Sequence, residues 1–317
     1  MKTKSIKDYQ MNYLKSNLVY GFISLCLLGL TGCSNDVDQV GNDLTNASSD
    51  KTTNIVTDFK VAGITTATTA SPTSVLGITS SKWKINSSTG SPSSSSQKYW
   101  DDITDSGANY ATYSDTNYFY TDGSWVYFKA WRGTKTSSSS GNPRTELREM
   151  ISGSAANWNG SSGTHSMTWT VKVDKLPKGK DGSTGVVCFG QIHGPEKNSN
   201  GVEVDDIIRC QFYGTANQST GTVKLKISGY ITETVLGESK TYTGYNLGST
   251  YTFTLKYYGS TVYLYNGSTL VFSQKMNTSC DSNYFKVGDY LQSVQSQSYD
   301  GSYGLVGIKN LSVTHTN

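Results

Sequence analysis

Apolar and polar residues alternate along most of this chain with the two-residue period of a β-strand, in short runs separated by Gly, Ser, Asn and Asp. Residues 83–85, 125–130, 165–173, 185–193, 207–213, 223–230, 251–258 and 261–265 each mix β-branched with aromatic side chains. Two further runs alternate in the same way: 142–150, which carries a Pro near its start, and 284–292. Asn266-Gly267 and Tyr258-Gly259-Ser260 read as hairpin turns, and 301–313 predicts a last strand with its Gly residues at bends. Outside the N-terminal region no long stretch repeats at helical spacing. So many strands joined by short turns in 317 residues predict an all-β chain with one large domain, two antiparallel sheets packed as a β-sandwich in the manner of a jelly roll.

The N-terminus follows a different pattern. Lys2, Lys4, Lys7 and Lys15 precede an apolar run over 18–30 that is short for a membrane span and closely followed by polar residues. Residues 1–32 therefore read as a secretory signal peptide. The run ends Leu30-Thr31-Gly32-Cys33, which resembles the lipobox of bacterial lipoproteins, in which the cysteine is lipidated and begins the mature chain. Ser34 follows instead of Asp, and by that resemblance the expected destination is the outer membrane or cell surface. Residues 33–54 are polar, as expected of a tether, and the folded body is expected over 55–317.

Charge then narrows the partners. Of 27 basic and 24 acidic side chains, residues 1–32 hold four Lys and one Asp, which leaves 23 of each sign in the mature chain. The formal surplus of +3 belongs to the signal, so nothing points to nucleic acid. Besides Cys33 the mature chain has Cys188, Cys210 and Cys280, of which one pair at most can bridge. Cys188 with Cys210 is one candidate pair, and two buried thiols is the other reading. No Cys or His spacing suits zinc, and no metal or other cofactor is expected.

Three strand-like runs gather groups with chemistry. In 284–292, Phe285, Val287, Asp289 and Leu291 share one face, and Lys286, Gly288, Tyr290 and Gln292 share the other. A phenol can move a proton, Lys and Gln can hold an anionic sugar, and a Gly leaves room for a bulky ligand to approach the backbone. In Pro143-Arg144-Thr145-Glu146-Leu147-Arg148, two guanidinium groups flank a carboxylate that would orient them, a set able to grip carboxylates of a polyanion. In Gly190-Gln191-Ile192-His193-Gly194, Gln191 and His193 face one way and Ile192 the other. His165 opens a strand and His315 lies in the C-terminal tail, so His193 is the imidazole set for function.

These three segments, in this order, resemble the three motifs of the polysaccharide lyase family 7 alginate lyases, over roughly residues 83–313. Leu291 stands where that family commonly has Asn, and Val287-Gly288-Asp289 varies its commoner Ala-Gly-Val or Ala-Gly-Ile. The resemblance implies a jelly roll with a substrate groove on its concave sheet and an alginate lyase acting by β-elimination. It implies Arg144, Gln191, His193 and Tyr290 as the catalytic set: Arg144 and Gln191 on the substrate carboxylate, Tyr290 as acid and as base for one uronate epimer, and His193 as base or carboxylate partner for the other. Glu146, Arg148, Lys286 and Gln292 are expected to bind substrate, with Arg148 and Lys286 as the cations near Tyr290. An imidazole suits a base near neutral pH. The Gln-Ile-His form resembles members that accept guluronate-containing blocks, and endo action by a monomer is expected. A lyase of another polyuronate such as glucuronan and a non-catalytic carbohydrate-binding jelly roll are the competing readings. The Gly- and Ser-rich segments 134–141 and 194–201 are expected to border the groove as lids.

Overall fold

Strands that place apolar side chains on one face only must cover that face, and here two sheets cover each other. The structure is a computed structural model that describes residues 70–194, 206–229, 239–276 and 282–316. The expected signal peptide, Cys33, the tether, the first residues of the body, Cys280 and most of segment 194–201 lie outside the described residues.

The first sheet comprises β1 (Trp83–Thr89), β2 (Lys98–Trp100), β5 (Arg144–Ile151), β6 (Ser154–Ala155), β8 (Thr184–His193), β9 (Asp206–Thr215), β10 (Thr222–Ser228), β11 (Lys240–Asn246) and β15 (Tyr284–Gln292). Its order is β11-β10-β9-β8-β15-β5-β1-β2, with β6 paired to β5. The second comprises β3 (Phe119–Thr121), β4 (Val126–Trp131), β7 (Thr164–Lys175), β12 (Tyr251–Tyr258), β13 (Thr261–Asn266), β14 (Thr269–Lys275) and β16 (Tyr303–Thr316), ordered β14-β13-β12-β7-β16-β4-β3. The predicted two-sheet, nearly all-β fold is present. Its only α-helix among the described residues is the single turn Pro72–Leu76, started by Ser71 and ended by Gly77 in the left-handed region.

Between the sheets, Phe189 lies 4.9 Å from Phe212 of its own sheet and 5.5 Å from Phe253 of the other, and Trp169 lies 5.9 Å from Phe253. All four are fully buried, and truncating such a ring to Ala costs about 3–5 kcal/mol. The hairpin between β12 and β13 turns on Gly259 and Ser260, both at positive φ, as the sequence suggested.

The sequence did not reveal β2, β3, β11 and β14, and each of these ends a sheet. Edge strands bury less, so they carry less of the alternation that marks a strand. The glycines of β16 are not at bends either. A Cβ on Gly304 would sit 2.7 Å from the Asp289 carboxylate, and one on Gly307 would sit 2.9 Å from Lys172 Cε. Cys188 and Cys210 are free, buried thiols.

Two irregularities shape the sheet that carries the motifs. In β8, Phe189 and Gly190 both turn to the core, and a Cβ on Gly190 would lie 2.4 Å from Trp169 Cζ2. The register with β9 shifts there, which leaves Ile192 buried and turns Gln191 and His193 outward. In β15, Gly288 has φ +146° and a Cβ on it would meet Thr145 O at 2.5 Å and Glu146 Cα at 2.7 Å. Gly288 therefore serves the close approach of β5, not of a ligand as the sequence suggested.

Candidate active site

β5, β15 and β8 lie side by side, so their outward side chains form one surface. Register fixes the neighbours: Arg144 stands opposite Tyr290, Arg148 opposite Lys286, Lys286 opposite Gln191, and Tyr284 opposite His193. Above them lies a cavity of about 530 Å³ whose walls include Arg144, Arg148, His193, Lys286 and Tyr290. The structure thus brings together groups separated by as many as 146 positions in the chain.

Glu146 is the hub. Its Oε2 lies 2.8 Å from Lys286 Nζ and 3.4 Å from Arg144 Nη1, and its Oε1 accepts from Gln191 Nε2 at 2.8 Å. One carboxylate between two cations leaves this part of the cavity positive, as an anionic sugar requires. Burial and the nearby Arg144 push Lys286 down to about 8, with Glu146 opposing them.

Tyr290 lies beneath Arg144, whose Cζ is 3.9 Å from the ring centroid. The phenolic oxygen is 3.2 Å from Ser140 Oγ, which itself accepts from Arg144 Nη2 at 2.5 Å. Burial pushes the phenol above its usual pKa, and the opposing pull of Arg144 and Ser140 does not overcome it. Tyr290 is consequently a protonated donor at neutral pH.

His193 stacks on Tyr284 with ring centroids 5.0 Å apart and planes 10° from parallel. Its Nδ1 is 2.8 Å from the carbonyl oxygen of Gly194. A carbonyl can only accept, so Nδ1 carries the hydrogen and the lone pair of a neutral ring is on Nε2. Nε2 is 3.6 Å from Asp206 Oδ1, and Asp206 Oδ2 is 3.4 Å from Arg209 Nε.

Three expected roles change, and a fourth residue, Gln191, is less accessible than expected. Glu146 is fully buried and touches the other site residues, so it orients them instead of meeting substrate. Arg148 is not held by Glu146 and is not the cation at Tyr290; its guanidinium packs on Tyr284, 4.1 Å from the ring centroid. Gln292 is buried outside the cavity walls, its Oε1 accepting from Gln211 Nε2 at 3.3 Å and its Nε2 donating to Leu291 O at 3.0 Å. Gln191 is enclosed under Glu146, with one amide hydrogen used and Oε1 without a partner.

Sequence reasoning missed Ser140, Tyr284, Asp206 and Tyr99, all on the cavity wall. Tyr284 was readable, since it shares the alternation of Lys286 and Tyr290. Asp206 directly precedes the predicted strand 207–213 and opposes His193 only through register. Ser140 is one of four consecutive serines, and Tyr99 lies on the short strand β2. Among the described residues no cluster of three His, Cys, Asp or Glu is arranged to hold a metal.

Comparison with known proteins agrees with this geometry. The family described as Alginate lyase matches residues 76–315. The marine PL7 alginate lyase AlyA1 from Zobellia galactanivorans is 62% identical with a TM-score of 0.74, covering 78% of this chain and 100% of that one. The alginate lyase from Corynebacterium sp. is 25% identical with a TM-score of 0.58, over 78% and 100% of the two chains. A variant of the family 7 alginate lyase A1-II′ in complex with substrate (GGMG) is 22% identical with a TM-score of 0.56, over 78% and 97%. No curated protein matches.

Proposed function

The chain belongs to the alginate lyase family and is a polysaccharide lyase, and on that premise we propose that it cleaves alginate by β-elimination in the cavity of β5, β8 and β15. The observation that carries this reading is a protonated phenol and an imidazole on the walls of one cavity whose floor is cationic.

Elimination in a uronate polymer needs a neutralised carboxylate, a base at C5 and an acid at the oxygen leaving C4. Arg144 pairs with the substrate carboxylate and, with Lys286 behind it, stabilises the charge that moves onto it. The unused amide hydrogen of Gln191 joins them once bound sugar rearranges the side chains above it. His193 Nε2 takes the C5 proton, and the C–H electrons form the C4=C5 double bond. The C4–O bond breaks with its electron pair on oxygen, which takes the Tyr290 proton. The products are a new reducing end and an unsaturated uronate end, and the proton that His193 took from C5 passes through solvent to the Tyr290 phenolate, which restores both groups. Arg148 and Tyr284 line the way in. The positive charge comes from side chains, so no cofactor enters these steps.

The finer reading is endo action on guluronate-containing or mixed blocks by a monomer, supported by the Gln191-Ile192-His193 motif and by a cavity on the outward face of a sheet. Leu30-Thr31-Gly32-Cys33 supports lipidation at Cys33 and anchoring at the outer membrane or cell surface. Alginate, poly-mannuronate, poly-guluronate and glucuronan, incubated with the protein and followed by ultraviolet absorbance of the unsaturated product, test the substrate. Absorbance is expected on guluronate-containing alginate, and a Tyr290→Phe variant should lose about 10²–10⁴-fold in kcat. Full activity in that variant, or absorbance on glucuronan alone, would overturn the reading. Loss of membrane association and of a lipid mass on the mature N-terminus in Cys33→Ser tests the anchor.

A further inference from the structure

The sheet that does not carry the cavity has an unusual outer face. Val126, Phe128 and Ala130 of β4 point into the core, so Tyr127, Lys129 and Trp131 point out, and Trp125 lies just before them. On the neighbouring β16 and β7, Tyr303 stands opposite Trp131, and Leu305 stands opposite both Lys129 and Lys175. Every ring of this group has an ammonium within cation–π range or shares one with a neighbour. Lys129 Nζ is 3.9 Å from the Trp131 ring and 4.2 Å from the Tyr303 ring, and Lys175 Nζ is also 4.2 Å from Tyr303. Lys309 Nζ is 4.4 Å from Trp125.

The charges on this face are unbalanced. Asp174 pairs with Lys172 at 3.3 Å, and Asp122 accepts from the Tyr127 hydroxyl at 2.9 Å. Lys129, Lys175 and Lys309 have no carboxylate partner among the described residues. Lys129 and Lys175 crowd the same ring, and burial together with the repulsion from Lys175 pushes the pKa of Lys129 down. Gly307 adds a second, independent sign of a built surface. Its missing side chain lets Lys172 and Trp125 lie across the backbone, where a Cβ would meet Lys172 Cε at 2.9 Å and Trp125 Cε3 at 3.4 Å.

We propose that this face is a second, non-catalytic binding site for an acidic polysaccharide strand, in which the rings of Trp125, Trp131 and Tyr303 carry sugar faces and the ammonium groups of Lys129, Lys175 and Lys309 meet uronate carboxylates. From Trp125 to Trp131 the platform runs about 20 Å along β4, and it spans about 10 Å across β4, β16 and β7. That is room for several sugar rings in a row. Aromatic platforms and cations are the groups that hold a polyanion. The rings are half-buried among ammonium groups instead of projecting, which favours a sugar strand over a lipid surface. The site would keep the enzyme on its polymer while the cavity on the opposite sheet turns over, and it rests on the reading of that cavity as a uronate lyase.

The test uses the full chain carrying Tyr290→Phe, so that polymer is bound and not cut, with and without Lys129→Glu/Lys175→Glu. Binding is measured to long alginate, to a neutral polysaccharide of similar length and to anionic phospholipid vesicles. The paired substitution should weaken alginate binding at least about fivefold, the loss expected of two exposed ion pairs, while the otherwise wild-type enzyme carrying it cleaves a uronate tetrasaccharide at an unchanged rate. Lys129→Gln/Lys175→Gln should show a smaller loss with an unchanged melting temperature, which separates binding from folding. Unchanged alginate binding in both variants overturns the proposal, as does a loss confined to vesicles or an equal loss on the neutral polymer. If the wild-type chain cleaves no uronate polymer, the cavity reading falls, and the platform is still judged by whether alginate binding depends on Lys129 and Lys175.

Discussion

Replacing Glu146 by Gln keeps the shape of the hub and removes its charge. The carboxylate is fully buried, 2.8 Å from Lys286 Nζ and 3.4 Å from Arg144 Nη1. Breaking a buried pair ordinarily costs about 3–5 kcal/mol, because a charge is left without a partner. Here Lys286 has an exit: its pKa stands at about 8 even with Glu146 raising it, so once Glu146 is neutral, shedding the proton at pH 7 costs at most about 1.4 kcal/mol. With weakened contacts to Arg144 added, the expected loss is about 2–3 kcal/mol, or a fall of about 4–12 °C in Tm for a body of this size.

The pH dependence carries a sign. The folded pKa of Lys286 lies below its unfolded value of about 10.4, so the unfolded chain binds more protons between the two values and stability rises with pH across that window. The attraction to Glu146 exists only while Lys286 is charged, at pH below about 8. The deficit of Glu146→Gln should therefore shrink as pH rises from 7 to 9.5. Urea unfolding of both proteins at the two pH values measures it, and Lys286→Met in both backgrounds closes a double-mutant cycle. A deficit below about 0.5 kcal/mol at pH 7, or one equal at both pH values, would refute the account of Glu146 as the counter-charge of Lys286. Activity should fall about 10–100-fold in kcat/KM, since Arg144 and Gln191 lose their common anchor.

Gly288→Ala should lose about 2–4 kcal/mol in urea unfolding, because its Cβ would meet Thr145 O at 2.5 Å in a backbone region that L-residues avoid. Ser140→Ala should lower kcat about 3–10-fold with little change in Tm, since Ser140 Oγ links the Tyr290 hydroxyl to Arg144 near the protein surface. Acid should weaken the fold through His165. Its Nε2 faces the carbonyls of Asn159 and Ser162 at 3.0 and 2.9 Å, so its Nδ1 accepts from His315 Nδ1 at 2.8 Å and has no room for a proton. Burial and His315 hold its pKa below the unfolded value of about 6.5, so stability should fall as pH drops below about 6.5, by at most about 1.4 kcal/mol per pH unit. Urea midpoints from pH 7.5 to 5 measure that slope, and His165→Gln should flatten it.

Alternation is a local property, and whatever depended on it was legible in the sequence. It placed Lys286 and Tyr290 together on β15, Gln191 and His193 together on β8 with Ile192 beneath, and Arg144 with Glu146 and Arg148 on β5, and it revealed every strand in the middle of a sheet. Edge strands escaped because half of their surface faces water and their pattern is diluted. Tertiary structure alone decided who meets whom. Glu146 takes Lys286 and Gln191 instead of Arg148 because β15 and β8, about 140 and 45 positions away in the chain, pair with β5 and with each other in one register. Arg148 goes to Tyr284 for the same reason. The phase of β8 is set by Trp169 of the other sheet, which leaves no room for a side chain at Gly190, and the tightness of Gly288 is set by β5. Sequence determines which side chains a strand turns outward, through the geometry of successive residues; pairing between distant strands determines which of them become neighbours, because register is fixed by the packing of the whole sandwich.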